Sequence, residues 1–192
     1  MIPALLLIDL QHDFLNEPLL SPAKEEVVRG VTNLLALCRS VKVPIVHIWT
    51  TIRDDSDRMP HWRRENKWAC LEGSPGHATP SLLHPAEGEK VIHKKFFSGF
   101  SVPELEKHLA EVHTDTLILC GVHTHVCVQC TAVDAYSKGF SVLIAEEAVA
   151  SFDSEAGILA RRFMDNRVGQ FLSIEALRTR LLRLPISLES SS

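Results

Sequence analysis

Residues 116–145 read TLILCGVHTHVCVQCTAVDAYSKGFSVLIA, and three segments stand out in them. Thr116 to Cys120 is a continuous apolar run, as expected of a strand buried on both faces. Thr124 to Ser137 is apolar on nearly every side and is closed by Lys138-Gly139, a last-turn cation and a C′ glycine, which predicts a buried central helix. Ser141 to Ala145 is a second apolar run. Strand, helix and strand in succession predict a βαβ unit, whose parallel strands need a covering layer on each face.

The alternation extends outward from this unit in both directions. Further strands are predicted at Ala4 to Asp9, Pro44 to Thr50, Lys90 to His93 and, more weakly patterned, Val168 to Leu172. Lys24 to Arg39 places Val27, Val28, Val31, Leu34, Leu35 and Cys38 at helical spacing. Ser101 and Glu104 resemble a capping box for a helix reaching about His113, and Asp153 to Asp165 and Ser173 to Leu184 complete the series. The reading is α/β, with a mostly parallel six-stranded sheet covered on both faces. A chain of 192 residues without internal repeat or linker is expected to form one domain over 1–192, with a polar tail over 186–192 that frays.

Composition narrows the function. With 45% hydrophobic and 23% charged residues and a formal charge of -4, the chain has no electrostatic attraction for nucleic acid or anionic lipid. Met1 to Asp9 carries no basic n-region or cleavage site and is too short to span a bilayer, so a cytoplasmic location is expected. Five scattered cysteines, an odd number, argue against a secreted disulfide framework.

Ile52 to Glu89 breaks the alternation. This stretch is rich in Pro, Gly, His, Trp and charge, yet Pro60, Trp62 and Trp68 weigh against disorder. It is expected to be an ordered excursion that covers the carboxyl edge of the sheet and shapes a pocket, with a surface flap or a subunit contact as the alternative. Arg53, Arg58, Arg63 and Arg64 within it are candidates for a substrate carboxylate, or else a solvated face.

In open α/β sheets ligands bind beyond the carboxyl ends of the strands, so polar residues that follow the apolar runs are the first candidates. Asp9 ends the first strand, Lys94 the third, and Cys127 opens the helix after the fourth. A helix N-terminus and a nearby ammonium both favour a thiolate at Cys127, and Asp9 is placed to accept its proton and return it to a leaving amine. Strand alternation requires Lys94 and Lys95 to face opposite ways.

These residues lie in three blocks: Asp9-Leu10-Gln11-His12-Asp13-Phe14, Lys94-Lys95-Phe96-Phe97-Ser98-Gly99-Phe100, and Gly121-Val122-His123-Thr124-His125-Val126-Cys127-Val128. Their order and spacing resemble those of the isochorismatase-like cysteine hydrolases, over roughly Leu5 to Leu172. The resemblance implies a Rossmann-like three-layer sandwich and a catalytic triad of Asp9, Lys94 and Cys127. It also implies a cis peptide between Val122 and His123, and an oxyanion hole from the backbone N–H groups of His123 and Cys127. Lys94 is preferred to Lys95 because the family lysine stands three residues before the first aromatic of Phe97-Ser98-Gly99-Phe100. Phe14, Phe97 and Phe100 are candidate substrate-binding residues, or else core. Members commonly form homo-oligomers, dimers or tetramers, and take a small-molecule substrate.

Relatives that hydrolyse isochorismate lack a cysteine at the nucleophile position, so Cys127 points to acyl chemistry on an amide, ureido or carbamoyl group through a thioester. Nicotinamidases of the family hold a metal with an Asp-Xaa-His pair after the second strand. Trp49 to Asp55 offers no such pair, so neither metal nor cofactor is expected. Three alternatives stay open: a thiol-disulfide redox protein using Cys127-Val128-Gln129-Cys130, a zinc site from His123, His125, Cys127 and Cys130, and a nonenzymatic interaction module on the same fold.

Overall fold

The computed structural model describes residues 1–183; the tail expected to fray, and Leu184 at the end of the last predicted helix, lie outside the described residues. Six strands form a single, entirely parallel sheet: β1 (Pro3–Ile8), β2 (Ile45–Thr50), β3 (Lys90–Lys94), β4 (Thr116–Val122), β5 (Ser141–Ala150) and β6 (Gln170–Leu172), in the order β3-β2-β1-β4-β5-β6. The order reverses direction between β1 and β4, which puts the ligand crevice over their carboxyl ends.

Among the described residues seven helices accompany the sheet: α1 (His12–Leu15), α2 (Lys24–Ser40), α3 (Pro60–Arg64), α4 (Pro103–Glu111), α5 (Gln129–Ser137), α6 (Ser154–Met164) and α7 (Ile174–Leu181). Two apolar cores result, one per face. Leu5, Leu7, Ile118 and Cys120 pack with Val27, Val31, Leu34 and Leu177 on one side, while Ala4, Leu6, Ile8, Leu117 and Leu119 pack with Leu105, Leu109, Ala132 and Ala160 on the other. Successive residues of β1 and β4 therefore serve opposite layers, which is why both strands read as unbroken apolar runs.

Several boundaries differ from the sequence reading. β5 runs to Ala150 because the two carboxylates that look like its end both find partners: Glu146 pairs with Arg161, and Glu147 accepts the Ile174 N–H. Ser101 does not cap α4; Pro103 opens that helix with its preset φ, and Val102 is the N-cap without a side-chain bond. The segment expected as one helix from Thr124 starts instead as a π-helical turn, Thr124–Val128, before α5. Gly139 does take the left-handed conformation at its end, φ 88°.

The 52–89 excursion is ordered. It contributes Ile52, Met59, Trp62, Ala69, Cys70 and Leu83 to the first core, and it is fastened to the turn after β1. Gln11 Nε2 donates to the carbonyls of Thr50 and His77, both at 2.9 Å. His12 N donates to Ala78 O at 2.8 Å, Asp13 N to Gly76 O at 3.0 Å, and the Asp13 carboxylate accepts the Cys70 N–H at 2.6 Å. Among the described residues no helix is long and apolar enough to cross a membrane.

Candidate active site

The carboxyl ends of β1, β2 and β3 lie side by side, with Ile8 in register with Ile48 and Thr50 with Lys94. Asp9 leaves β1 in the left-handed region at φ 54°, a conformation that Asp tolerates better than most residues. The turn is held because Asp9 N donates to Ile48 O at 2.9 Å. On the far side, Gly121 at φ 127° lets β4 approach β1 so closely that a Cβ there would lie 2.0 Å from Ile8 O. The next peptide, Val122–His123, is cis, and the π-helical turn that follows carries Cys127.

Asp9, Lys94 and Cys127 come together, and they are almost dry: 0%, 2% and 6% exposed. Lys94 Nζ donates to Asp9 Oδ2 at 2.7 Å and to Thr50 Oγ1 at 2.9 Å, and reaches Cys127 Sγ at 3.8 Å. Those three contacts occupy its three protons. Thr50 presents both its N–H (2.9 Å) and its hydroxyl (2.8 Å) to Asp9 Oδ1. The Thr50 N–H is shared with Gln11 Oε1, also at 2.9 Å. Lys95 faces the other way and pairs with Asp57 at 3.3 Å.

The charge balance differs from the sequence expectation at one point. Burial pushes the Cys127 thiol well above its ordinary range, and the neighbouring Asp9 carboxylate adds to this against the opposing pull of Lys94. The burial of a sulfur that is 6% exposed works against the thiolate that a helix-end field favours. Burial is the largest single influence on the Lys94 ammonium and disfavours it, but Asp9, Cys127 and Cys70 together outweigh it and the lysine pKa is raised. Both directions favour a neutral Cys127 thiol beside the Lys94 ammonium.

A belt of rings runs between the turn after β1 and the turn that carries Cys127. Phe14 meets the His123 ring edge-on with centroids 5.7 Å apart and lies 6.4 Å from Trp62, while Phe152 meets His123 at 4.7 Å and His125 at 4.8 Å. Phe97, partly exposed, lies 5.5 Å from His61, which neighbours Trp62 at 6.1 Å. Phe100 is not part of the belt: it packs on Phe140 and under Lys138, against the core of the α5 face. The His123 side chain is buried, its Nδ1 has no hydrogen-bond partner, and burial with the neighbouring His125 and Lys67 pushes its pKa down to about 3. It is neutral at any physiological pH.

Of the four arginines in the excursion, Arg53 pairs with Glu72, and Arg58 pairs with Asp55 and stacks on Trp68, while Arg63 and Arg64 are exposed. Among the described residues no group of three or more His, Cys, Asp or Glu gathers as a metal ion would need. The sequence reading passed over Thr50, Gln11, His61 and Phe152. It also passed over Cys70, a buried thiol at φ 53° close enough to feel the charges of Asp9, Lys94 and Cys127. Thr50 was within reach of the rule that found Asp9, since it too is the polar residue ending an apolar strand.

Residues 3–176 match the isochorismatase domain family model. The chain belongs to the isochorismatase family. Among its relatives, it is 31% identical over 163 residues to the maleamate amidohydrolase of Pseudomonas putida, covering 80% of this chain and 74% of that one. It is 28% identical over 193 aligned positions to the N-carbamoylsarcosine amidase of an Arthrobacter species, covering 95% and 72%. An isochorismatase family protein from Desulfovibrio vulgaris superposes with a TM-score of 0.82 at 29% identity, covering 95% of this chain and 99% of that one. The all-parallel six-stranded α/β sheet is thus the isochorismatase-like fold, and the chain is a hydrolase of that family.

Proposed function

We propose that this hydrolase cleaves a small-molecule amide, ureido or carbamoyl C–N bond through a thioester on Cys127, with Asp9 as general base and acid and Lys94 as the fixed cation of the triad. The supporting observation is the Lys94 ammonium, which touches the Asp9 carboxylate at 2.7 Å and the Cys127 sulfur at 3.8 Å in a site closed to water. Moving the thiol proton to Asp9 shifts negative charge from one neighbour of Nζ to another. The net charge of the site stays the same, so a thiol that is a poor acid in isolation becomes a usable nucleophile when a carbonyl arrives.

The steps follow from that proton shift. Sγ bonds to the carbonyl carbon as its proton passes to Asp9, and the oxyanion forms against the N–H groups of His123 and Cys127. Asp9 then protonates the departing nitrogen, the C–N bond breaks, and a thioester remains. Water attacks the thioester with Asp9 accepting its proton, and the acid and the free thiol are released. Phe14, Trp62 and Phe97 form the walls against which the substrate body packs. No metal takes part, and the triad supplies both the nucleophile and the proton transfers.

A redox role for Cys127 and Cys130 has less support, because burial raises the pKa of both thiols, whereas thiol-disulfide exchange calls for an activated thiolate. The relatives named above supply starting compounds. Hydrolysis of a panel of small amides, ureido acids and N-carbamoyl compounds, including maleamate and N-carbamoylsarcosine, tests the reading. Intact-mass detection of an acyl adduct on Cys127 is the expected result; turnover by a Cys127→Ala variant would end it. Self-association is also proposed, since α6 leaves Ile158, Leu159 and Phe163 exposed, and light scattering checks it.

A further inference from the structure

Thr50 touches two members of the triad at once, and its contacts are unequal between the two carboxylate oxygens. Asp9 Oδ1 receives the Thr50 N–H at 2.9 Å and the Thr50 hydroxyl at 2.8 Å, which fills both of its lone-pair directions. Oδ2 receives only Lys94 Nζ, at 2.7 Å, and keeps one direction open. The hydroxyl itself accepts from Lys94 at 2.9 Å, so it donates to Oδ1 as a group polarised by a cation. All of this is buried, Thr50 itself being 1% exposed.

We propose that Thr50 is a positioning residue of the reaction: by saturating Oδ1 it reserves Oδ2, the oxygen beside Lys94, for the Cys127 proton, and it holds Asp9 in the ionised form that can take that proton. The inference rests on the reading of Asp9 as general base. It goes beyond that reading in assigning the proton to one oxygen and the control of that choice to a residue outside the triad. Gln11 extends the arrangement by fixing Thr50 from both sides of its peptide, with Oε1 accepting its N–H and Nε2 donating to its carbonyl, both at 2.9 Å.

The titratable groups that face Asp9 are Lys94 from β3, Cys127 from the turn after β4, and Cys70 from the excursion. The lysine and both thiols have raised pKa values, so none of the three titrates on the acid side of neutrality. On the general-base reading, it is the ionised form of Asp9 that accepts the Cys127 proton, so loss of that form on acidification lowers Cys127 reactivity and gives its pH profile an acid limb. Without the hydroxyl the charged form of Asp9 loses a donor, and the limb moves to higher pH.

The test needs no substrate. Alkylation of Cys127 by iodoacetamide, quantified by peptide mass spectrometry, is followed from about pH 4 to about pH 9 in the wild type, Thr50→Val, Thr50→Ser and Asp9→Asn. Thr50→Val is expected to react about 10-fold more slowly on the acid side, with its limb displaced upward by about one pH unit, and Thr50→Ser to restore the wild-type limb. Thr50→Ala replaces the valine variant if circular dichroism shows the latter unfolded. A folded hydroxyl-free variant with an unmoved limb overturns the proposal, as does a serine variant displaced like valine, which would assign the effect to the lost methyl. An Asp9→Asn variant that keeps the wild-type limb instead removes the general-base reading itself, an outcome distinct from either of these.

Discussion

Replacing Lys94 by Met keeps the bulk of the side chain and deletes its charge, leaving the fully buried Asp9 carboxylate without its cation. Removing one partner of a buried pair typically costs about 3–5 kcal/mol because the other charge is stranded. Here the penalty has a ceiling, since Asp9 can escape it by binding a proton. Keeping a carboxyl protonated in the folded state at pH 7, when it ionises near pH 3.9 in the unfolded chain, costs about 4 kcal/mol at about 1.4 kcal/mol per pH unit. At pH 5 the same escape costs only about 1.5 kcal/mol. In the variant the folded state binds more protons than the unfolded state, so its stability rises as pH falls. The wild type lacks this trend from Lys94: with its pKa raised, the lysine's contribution is complete below about pH 10.5 and fades only as pH rises through the folded value. Urea unfolding of both proteins at pH 5, 6 and 7 should therefore show a gap of up to about 4 kcal/mol at pH 7 that narrows steadily toward pH 5. A gap of equal size at all three values would refute the reasoning, and so would a variant as stable as wild type at pH 7.

Other outcomes are expected from the same geometry. Cys127→Ala should abolish turnover, whereas Cys130→Ala, on a half-buried helical position, should lower stability by about 1 kcal/mol and leave turnover in place, as steady-state kinetics and thermal melts will show. Chelator-treated enzyme should keep its activity; loss that zinc or iron restores would reverse the metal-independent mechanism. Gly121→Ala should prevent folding, because the new methyl would sit 2.0 Å from Ile8 O at φ 127°, and both atoms in conflict are tied to the backbone; the soluble yield and circular dichroism of the variant measure this.

The sheet was legible because burial on both faces writes each strand as an apolar run, and because β1 and β4 alternate between two cores. Where the run was interrupted by Glu146 and Glu147 the reading stopped five residues early, since a sequence does not reveal that Arg161 and the Ile174 N–H wait for those carboxylates. Asp9 and Lys94 could be singled out because each stands at the carboxyl end of a strand, and Cys127 because it lies in the turn that follows one, each within a recognisable block. Thr50 stands at such an end too, but it is followed by Thr51, and only the register of β2 between β1 and β3 distinguishes them: Thr50 binds Asp9, whereas Thr51 Oγ1 lies between the rings of His77 and His93. Phe97 and Phe100 look equivalent in sequence. The tight turn at Gly99–Ser101 sends Phe100 to the α5 face, a direction fixed by the Gly99 N–H bond to Thr131 Oγ1. Helix position favours a thiolate and can be read from a sequence, while the burial that opposes it at Cys127 cannot.

The fasteners between the excursion and the turn after β1 bear on how this scaffold can be altered. Residues 70–78 are bonded to the same five-residue turn, 9–13, that carries Asp9, the proposed base, so a loop grafted from a relative would need its matching turn or would pull Asp9 out of place. The stretch 53–68, which carries His61 and Trp62 into the ring belt, hangs between Ile52 and Cys70, themselves joined by a backbone bond of 3.0 Å. Variation in that stretch, within what the core contacts of Met59 and Trp62 allow, can therefore change the belt while the proposed triad is kept.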